Sequence, residues 1–423
     1  MEAFELYVKF LNIFLETSWI WSPFILAILF FESWMYYIQH LYWRKLEWVL
    51  LEVKPPKEVE KSPKNMEQIF AGLWGSFGTI GNKYEKYIKG ILQDYFSFEV
   101  VGINGEIHFY LRTIKKFQNL VEAQVYSQYP QAEIKEVEDY AYKLPADVPG
   151  RNWNLWGCRL RLTNKEAFPI RTYPLLIDVA KTDQPFFDPL AGLMEVLSKL
   201  RVGEQIWIQT IFRPEADAKR DELVKEAYKI LGKKLPEKKQ GVIKTDIITW
   251  WDSAFNTIYT FLFDQAAPAK VKDKLSDLPS LAMYLSPGEK DMIQGIEEKA
   301  SKKMFECKIQ WAYIAKKELF SPGYIGSVMG IFSQFANLNM NAFRPDGPTM
   351  TKASYAFAKI RKAYKQRILM RWLRTRSFWE KGYALNIEEL ATVFHFPTIS
   401  VQSPMTPYIG AKKGSAPIDL PFE

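Results

Sequence analysis

One long apolar run near the start of the chain divides everything that follows it. From Thr17 to Phe31 no side chain is charged, and from Ser33 to Trp43 none is again, so Glu32 alone interrupts about 27 residues. At 1.5 Å per residue, a helix of that length exceeds the roughly 30 Å hydrocarbon thickness of a bilayer. Trp19, Trp21, Trp34, Tyr36, Tyr37, Tyr42 and Trp43 crowd toward its ends, where interfacial aromatics sit. A cleaved secretory signal needs a basic start, a shorter apolar core and a small-residue cleavage site. The opening MEAFELYVK and the bulky aromatics meet none of these. The run therefore predicts an uncleaved transmembrane helix over about residues 18–43. At a bilayer centre Glu32 costs about 2.5–3.5 kcal/mol on insertion scales, which the surrounding Leu, Ile and Phe residues can offset. Glu32 either reaches toward an interface or faces a partner helix, and it is the candidate membrane-helix contact. Direction follows from the flanks. Glu2, Glu5, Lys9 and Glu16 precede the run, whereas Arg44, Lys45, Lys54, Lys57, Lys61 and Lys64 follow it. The positive-inside rule thus places the C-terminal bulk on the cytoplasmic side of the inner, cytoplasmic membrane.

Beyond the anchor, short alternating strands are separated by single helices. KPPKEVEKSPKN (54–65) suits an extended connector, and the juxtamembrane segment is assigned to residues 44–66. In EVVGINGEIHFYLR (99–112), Ile107, Phe109 and Leu111 alternate with Glu106, His108, Tyr110 and Arg112, and a short turn joins this strand to the one before. A helix with Phe117, Leu120, Val121 and Val125 on one side follows, and then the strand AEIKEV. GCRLRLT (157–163) and EQIWIQTIFR (204–213) are further strands. Between them Asp188 and Pro189 open a helix over DPLAGLMEVLSKL. Later come a solvated helix (215–234), the apolar stretch ITWWDSAFNTIYTFLFDQ (248–265), a helix started by Ser286-Pro287, and the strand CKIQWAYIA. These elements predict an α+β fold: a transmembrane helix followed by cytoplasmic sandwich modules, with helices on one face of a mainly antiparallel sheet. A weak echo raises duplication. Ala180-Lys181 through FFDPLAGLMEVLSKL to IFRP (211–214) resembles Ala315-Lys316 through FSPGYIGSVMGIFSQF to AFRP (342–345). The expected units are residues 1–43, the connector 44–66, a first α+β domain 67–214, a helical insertion 215–300, and a second module 301–423.

Motifs for catalysis are missing from the sequence. There is no GxxxxGK[ST], GxSxG, HExxH or strand-linked GxGxxG. Cys158 and Cys307 stand far apart without metal-ligand spacing, so neither a disulfide framework nor a zinc site is expected, and a reducing compartment fits. His40, His108 and His395 each have a structural explanation, as membrane-interface, strand-face and helix-end residues. No catalytic, cofactor-binding or metal-binding residues are therefore assigned. What remains is charge. Residues 301–423 hold 18 Lys+Arg against 8 Asp+Glu, while the rest of the chain is slightly acidic. KIRKAYKQRILMRWLRTR (359–376) concentrates this excess in Lys359, Arg361, Lys362, Lys365, Arg367, Arg371, Arg374 and Arg376. Phe357, Ile360, Tyr364, Ile368 and Trp372 fall at helical spacing, which predicts an amphipathic helix with that stripe in a core and a cationic face outside. Such a face suits DNA phosphates, anionic lipid, an acidic partner protein, or simply solvent.

Several stretches taken together point to a family: EWVLLEVKPPKEVEKSPKNMEQIF, SFEVVGINGEIHFYLRT, VEAQVYSQYPQAEIKEV, DPLAGLMEVLSKLRVGEQIWIQTIFRP, LSPGEKDMIQGIEEK and LNIEELATVFHFP. They resemble membrane-anchored proteins of candidate-phylum bacteria. Those in turn look like the N-terminal, non-catalytic region of conjugation-type or type IV secretion ATPases. The resemblance implies a non-enzymatic scaffold that docks a separately encoded ATPase or a channel protein at the membrane, as a monomer or a homo-oligomer. No catalytic residue carries over, because the motor motifs are absent. The rival expectation is a membrane-tethered nucleic-acid binder that uses residues 359–376.

Overall fold

In the computed structural model, nine strands among the described residues pair into one antiparallel sheet. The structure describes residues 16–56, 63–78, 83–145, 148–150, 152–177, 188–230, 286–355, 357–378 and 380–397. The strands are β1 (Trp48–Lys54), β2 (Phe96–Ile103), β3 (Glu106–Ile114), β4 (Glu133–Val137), β5 (Trp153–Leu162), β6 (Glu204–Pro214), β7 (Met304–Lys316), β8 (Phe343–Pro345) and β9 (Tyr383–Asn386). The principal helices are α1 (Ser18–Lys45), α2 (Lys64–Leu73), α3 (Gln118–Gln128), α4 (Ala191–Ser198), α5 (Asp217–Ile230), α6 (Pro287–Ser301), α7 (Gly323–Ser333), α8 (Ala358–Thr375) and α9 (Ile387–Val393). Local chemistry sets several boundaries. Asn104 and Gly105, both at positive φ, make the two-residue turn between β2 and β3. Ser286 and Glu289 form a capping box at α6 behind Pro287, and Asn386 and Glu389 form another at α9.

The strand order is β4-β1-β3-β2-β6-β7-β5-β8, with β9 pairing the Met304–Cys307 part of β7. That order holds one motif twice. The path β1-α2-β2-β3-α3-β4 fills one half of the sheet, and β5-α4-β6-β7-α7-β8 fills the other. In each, the third strand inserts between the first two, which is the split β-α-β, ferredoxin-like arrangement. The copies join where β2 pairs β6. The sequence echo lies inside the second copy, whose two helices are α4 and α7 and whose Phe-Arg-Pro ends close β6 and β8. Ala180-Lys181 lies outside the described residues.

This topology redraws the expected boundaries. Residues 48–54, assigned to the connector, form β1, because Leu51 and Val53 bury on one face of the sheet while Leu50 buries on the other. Residues 57–62 of the connector lie outside the described residues, as do residues 248–265. β5 and β6, grouped with the first domain, belong to the second copy, and residues 215–303 separate β6 from its partner β7.

Helices cover both faces rather than one. On the front, α2, α3, α4, α7 and α9 bury Phe70, Val121, Met194, Phe332 and Leu390 against Phe98, Phe212, Phe305 and Trp311. The reverse face carries Val101, Tyr110, Leu155, Trp207, Ala312 and Ile314, which also need cover. α8 and the short helix Tyr140–Lys143 supply it through Leu369, Met370, Leu373, Tyr140 and Ala141. At roughly 25 cal/mol per Å² of buried apolar surface, both layers contribute to stability. α9 packs against α2, and Phe394 stacks on Phe98 with ring centroids 5.2 Å apart. Beneath it, Glu389 and Lys299 form a wholly buried ion pair at 3.0 Å.

Within α1, Ser22–Lys45 is long and apolar enough to cross a membrane and is almost entirely uncovered by the rest of the protein. Its C-terminal half touches the domain. Trp34 Nε1 donates to the Tyr87 carbonyl at 3.0 Å and Trp43 Nε1 to Tyr95 Oη at 2.8 Å. Gly90, at φ +65°, lies so close to Ile38 that a Cβ there would stand 2.6 Å from the Ile38 carbonyl carbon.

Candidate functional site

The basic helix exists, but the face it buries is not the expected one. Gln366, Leu369, Met370 and Leu373 face the sheet. At 100° per residue this places the buried face roughly 170° from the stripe of Phe357, Ile360, Tyr364, Ile368 and Trp372. Phe357, Ile360 and Tyr364 are instead 77%, 69% and 64% exposed. A polar residue at the centre of the buried face hid it from sequence reading. Gln366 is satisfied there, because its Nε2 donates to Asn154 Oδ1 at 3.0 Å and to the Leu155 carbonyl at 2.6 Å.

The eight predicted cations consequently divide. Lys359, Arg361, Lys362, Arg367 and Arg371 are exposed. Lys365 Nζ donates to the carbonyls of Gly347 and Met350, and the Arg374 guanidinium donates to those of Ala141 and Pro145. Arg376 is wholly buried. Around the outward face, Ile360, Tyr364, Arg367 and Arg371 follow one another at spacings of three and four, so apolar, aromatic and cationic side chains share one surface. Tyr355 and Phe357 extend that surface past the start of the helix. Glu32 is exposed on α1 without an ion-pair partner among the described residues.

Behind α8 lies a polar row that sequence reading missed. Glu99, Gln209, Gln310 and Arg159 stand opposite one another on β2, β6, β7 and β5. Gln209 Nε2 donates to the Leu373 carbonyl at 3.0 Å, in the open last turn of α8, and Gln310 Nε2 to that of Trp372 at 3.1 Å, which also accepts the Arg376 backbone N–H at 2.8 Å. Arg376 follows, left-handed at φ 49°. It reaches Glu99 through Nε and Nη2, each at 3.0 Å, and Asp139 through Nη1 at 2.5 Å. Burial alone pulls its guanidinium down, but Glu99, Tyr140 and Asp139 outweigh that and hold it well above its usual range. Tyr140 donates to Glu99 at 2.5 Å, and burial together with the Glu99 charge pushes its phenol up. The one available signal was polar residues at the inward positions of strands that turn out to be covered on both faces.

Below this row the reverse face opens into a cavity of about 740 Å³. Its floor includes Arg159, Tyr95, Glu306 and Phe378, its rim Arg371, Glu380 and Lys381, and its roof Tyr36, His40, Tyr42 and Trp43 of α1. Most of its carboxylates are paired. Glu306 meets Arg213 at 2.6 Å, Asp94 meets Lys116 at 2.5 Å, Lys219 meets Glu166 and Glu222 at 3.0 and 2.9 Å, and Glu380 bonds Arg159. Glu215 has no ion-pair partner among the described residues, and burial followed by the Glu306 charge pushes its carboxyl up. Lys308 stands on β7 beside this floor, 5% exposed, with no hydrogen-bond partner for Nζ among the described residues. Burial and the Arg159 charge bring its ammonium down to about 7.

The remaining titratable candidates are structural. His108 Nδ1 lies 2.6 Å from Glu52, and His395 bridges Asp188 and the Ala391 carbonyl in the interior. Cys158 and Cys307 are buried and free. Among the described residues no cluster of metal-ligating side chains occurs.

Two fused split β-α-β copies, a cationic helix across their reverse face and an N-terminal candidate transmembrane helix define an α+β protein with a candidate membrane anchor. The chain belongs to the DUF8128 family, a domain of unknown function, which matches residues 37–407 and so takes in both copies, α8 and α9. No curated protein matches it significantly.

Proposed function

We propose that the protein is a membrane-anchored, non-catalytic scaffold of a type IV secretion or conjugation-like machine, and that the outward face of α8 receives a separately encoded ATPase or channel protein. The observation that carries this reading is the exposed row of Ile360, Tyr364, Arg367 and Arg371, continued by Tyr355 and Phe357. Aromatic residues and arginine are the side chains that anchor protein interfaces. Position supports an aqueous partner over the anchoring membrane. α1 leads into β1 at the Trp48 end of the sheet, where Trp48 pairs Ile114, whereas α8 begins beyond Trp153 at the other end. In this reading α1 is an uncleaved inner-membrane anchor, and Arg44 and Lys45 keep the folded region cytoplasmic.

A nucleic-acid partner is the second reading, favoured by the same mixture: exposed rings for base stacking among exposed cations for phosphates. One experiment separates the two. The full chain, captured from detergent-solubilised native membranes, is compared with an Arg361→Glu/Tyr364→Ala/Arg367→Glu variant. These positions are exposed and, unlike Arg374 and Arg376, bond none of the elements beneath α8, so the melting temperature should hold. Co-purification of an ATPase or channel component should fall by about tenfold or more, the equivalent of 1.4 kcal/mol. Undiminished capture by the variant rejects α8 as the docking surface. Salt-sensitive retention of single-stranded DNA, lost in the variant, with no protein partner, establishes the second reading instead.

A further inference from the structure

The cavity beneath α1 leaves several cations at and behind its walls without an ion-pair partner among the described residues. Of its carboxylates, all but Glu215 bond a cation, and Glu215 itself is driven toward its neutral form. The groups left without an ion-pair partner are mostly cations. Among the described residues Arg371 and Lys381 at the rim have no ion-pair partner. Lys308 does not itself line the cavity but stands just behind it, beside Arg159, Glu380, Glu306 and Arg213, which do, with Nζ over the Phe378 ring at 4.7 Å and no hydrogen-bond partner among the described residues. Burying an ammonium without hydrogen bonds is costly, and such a group either gives up its proton or takes an opposite charge beside it. One cross-strand row from β3 to β7 repeats the condition. Arg112, level with Lys308 through Ser97 and Ile211, leaves its Nη1 without a partner among the described residues. The opposite wall is of another character. Tyr36, Tyr42 and Trp43 come from the last turns of α1, and Trp372 and Phe378 add apolar area. A space of about 740 Å³ is within the range of ligand pockets and far exceeds a bare ion.

We propose that this cavity binds a phosphate-bearing ligand, with Lys308 as its buried counter-charge, Arg371 and Lys381 at its mouth, and an apolar portion against the α1 aromatics. A phospholipid headgroup and a soluble phosphate ester share this chemistry. The lipid source rests on α1 being the anchor, because that brings the cavity roof to the membrane interface; the soluble source does not.

The test uses the full chain in nanodiscs of phosphatidylcholine alone or with one-quarter phosphatidylglycerol, each with and without 10 mM inorganic phosphate, and follows thermal unfolding. Lys308→Met and the rim variant Arg371→Ala are compared with the wild type. A rise of several degrees given by phosphatidylglycerol, absent in Lys308→Met and reduced in Arg371→Ala, assigns the lipid. The same rise given by inorganic phosphate in plain phosphatidylcholine assigns the soluble ligand. The proposal is overturned if neither probe shifts the wild type, or if Lys308→Met responds as fully as the wild type. The Arg361→Glu/Tyr364→Ala/Arg367→Glu variant should respond normally, so failure of α8 as a docking surface and failure of the cavity as a binding site remain distinguishable.

Discussion

Arg376→Met is expected to destabilise the protein by about 3–5 kcal/mol, the usual cost of removing one member of a buried ion pair. Arg376 and Glu99 are both fully buried, and the guanidinium also bonds Asp139 and the Arg374 carbonyl. Methionine keeps much of the side-chain volume but leaves Glu99 with only Ser97 at 2.6 Å, Tyr140 at 2.5 Å and Gln209 at 3.4 Å. Those are neutral donors facing a carboxylate in a dry interior. Backbone strain compounds the loss. The left-handed conformation at residue 376, where helices commonly end in glycine, costs a residue with a Cβ about 1–2 kcal/mol, and here the side-chain bonds hold it in place. Urea unfolding of the full chain in detergent measures the change. Glu99→Gln in the Arg376→Met background should recover part of the loss, since the orphaned charge disappears. A loss under about 1 kcal/mol in the single variant would show that the pair contributes little beyond its own desolvation.

Lys308→Met should act in the opposite direction and raise stability on the order of 3 kcal/mol at pH 7. The sign follows from the direction of the shift. The native ammonium titrates near 7, below its ordinary value of 10.5, so between these limits the unfolded chain binds the additional proton. Wild-type stability therefore rises with pH through that window, and the penalty of carrying the lysine is fully present below about pH 7. The groups facing Nζ are Glu306 on its own strand, Arg213 on β6, Arg159 on β5, and Glu380 with the Phe378 ring from the loop before β9. Melting curves of both proteins from pH 6 to pH 10.5 should therefore converge at the alkaline end. A gain of equal size at every pH would trace the effect to packing, and a loss of stability would mean that Nζ is already compensated in the native state. A protein that gains stability and loses ligand response through one substitution would follow the usual trade between fold and function.

Local patterns carried the strands and caps. The alternation in EVVGINGEIHFYLR, the short turn within it and the helix start at Ser286-Pro287 form as read. These features depend on residues within a few positions of one another. The failures are long-range. The helix period placed Tyr364 in a core and Gln366 outside, because periodicity registers apolarity and not the hydrogen bonds that Asn154 and Leu155 offer more than two hundred residues away. Arg159 alternates with Cys158 and Leu160 along its strand as a solvent-facing residue would, yet Trp372 of α8 lies over it, 3.7 Å from its guanidinium. The row from Glu99 to Arg159 depends on the register of four strands and is visible only once they are paired. The cavity is harder still, for its walls come from α1, α5, α8 and five strands, β3, β5, β6, β7 and β9.

In the first copy the two middle strands are joined by two residues, while in the second they are separated by residues 215–303. During synthesis the consequences differ. β3 reaches β2 almost as soon as it is made, whereas β6 emerges with a full edge of open amides and carbonyls that no later strand covers until Met304 and its successors appear. An unpaired edge is a template for any passing strand. The longest seam in the sheet thus stays open until residues 215–303 have been made, and the order of translation guards the first copy far better than the second.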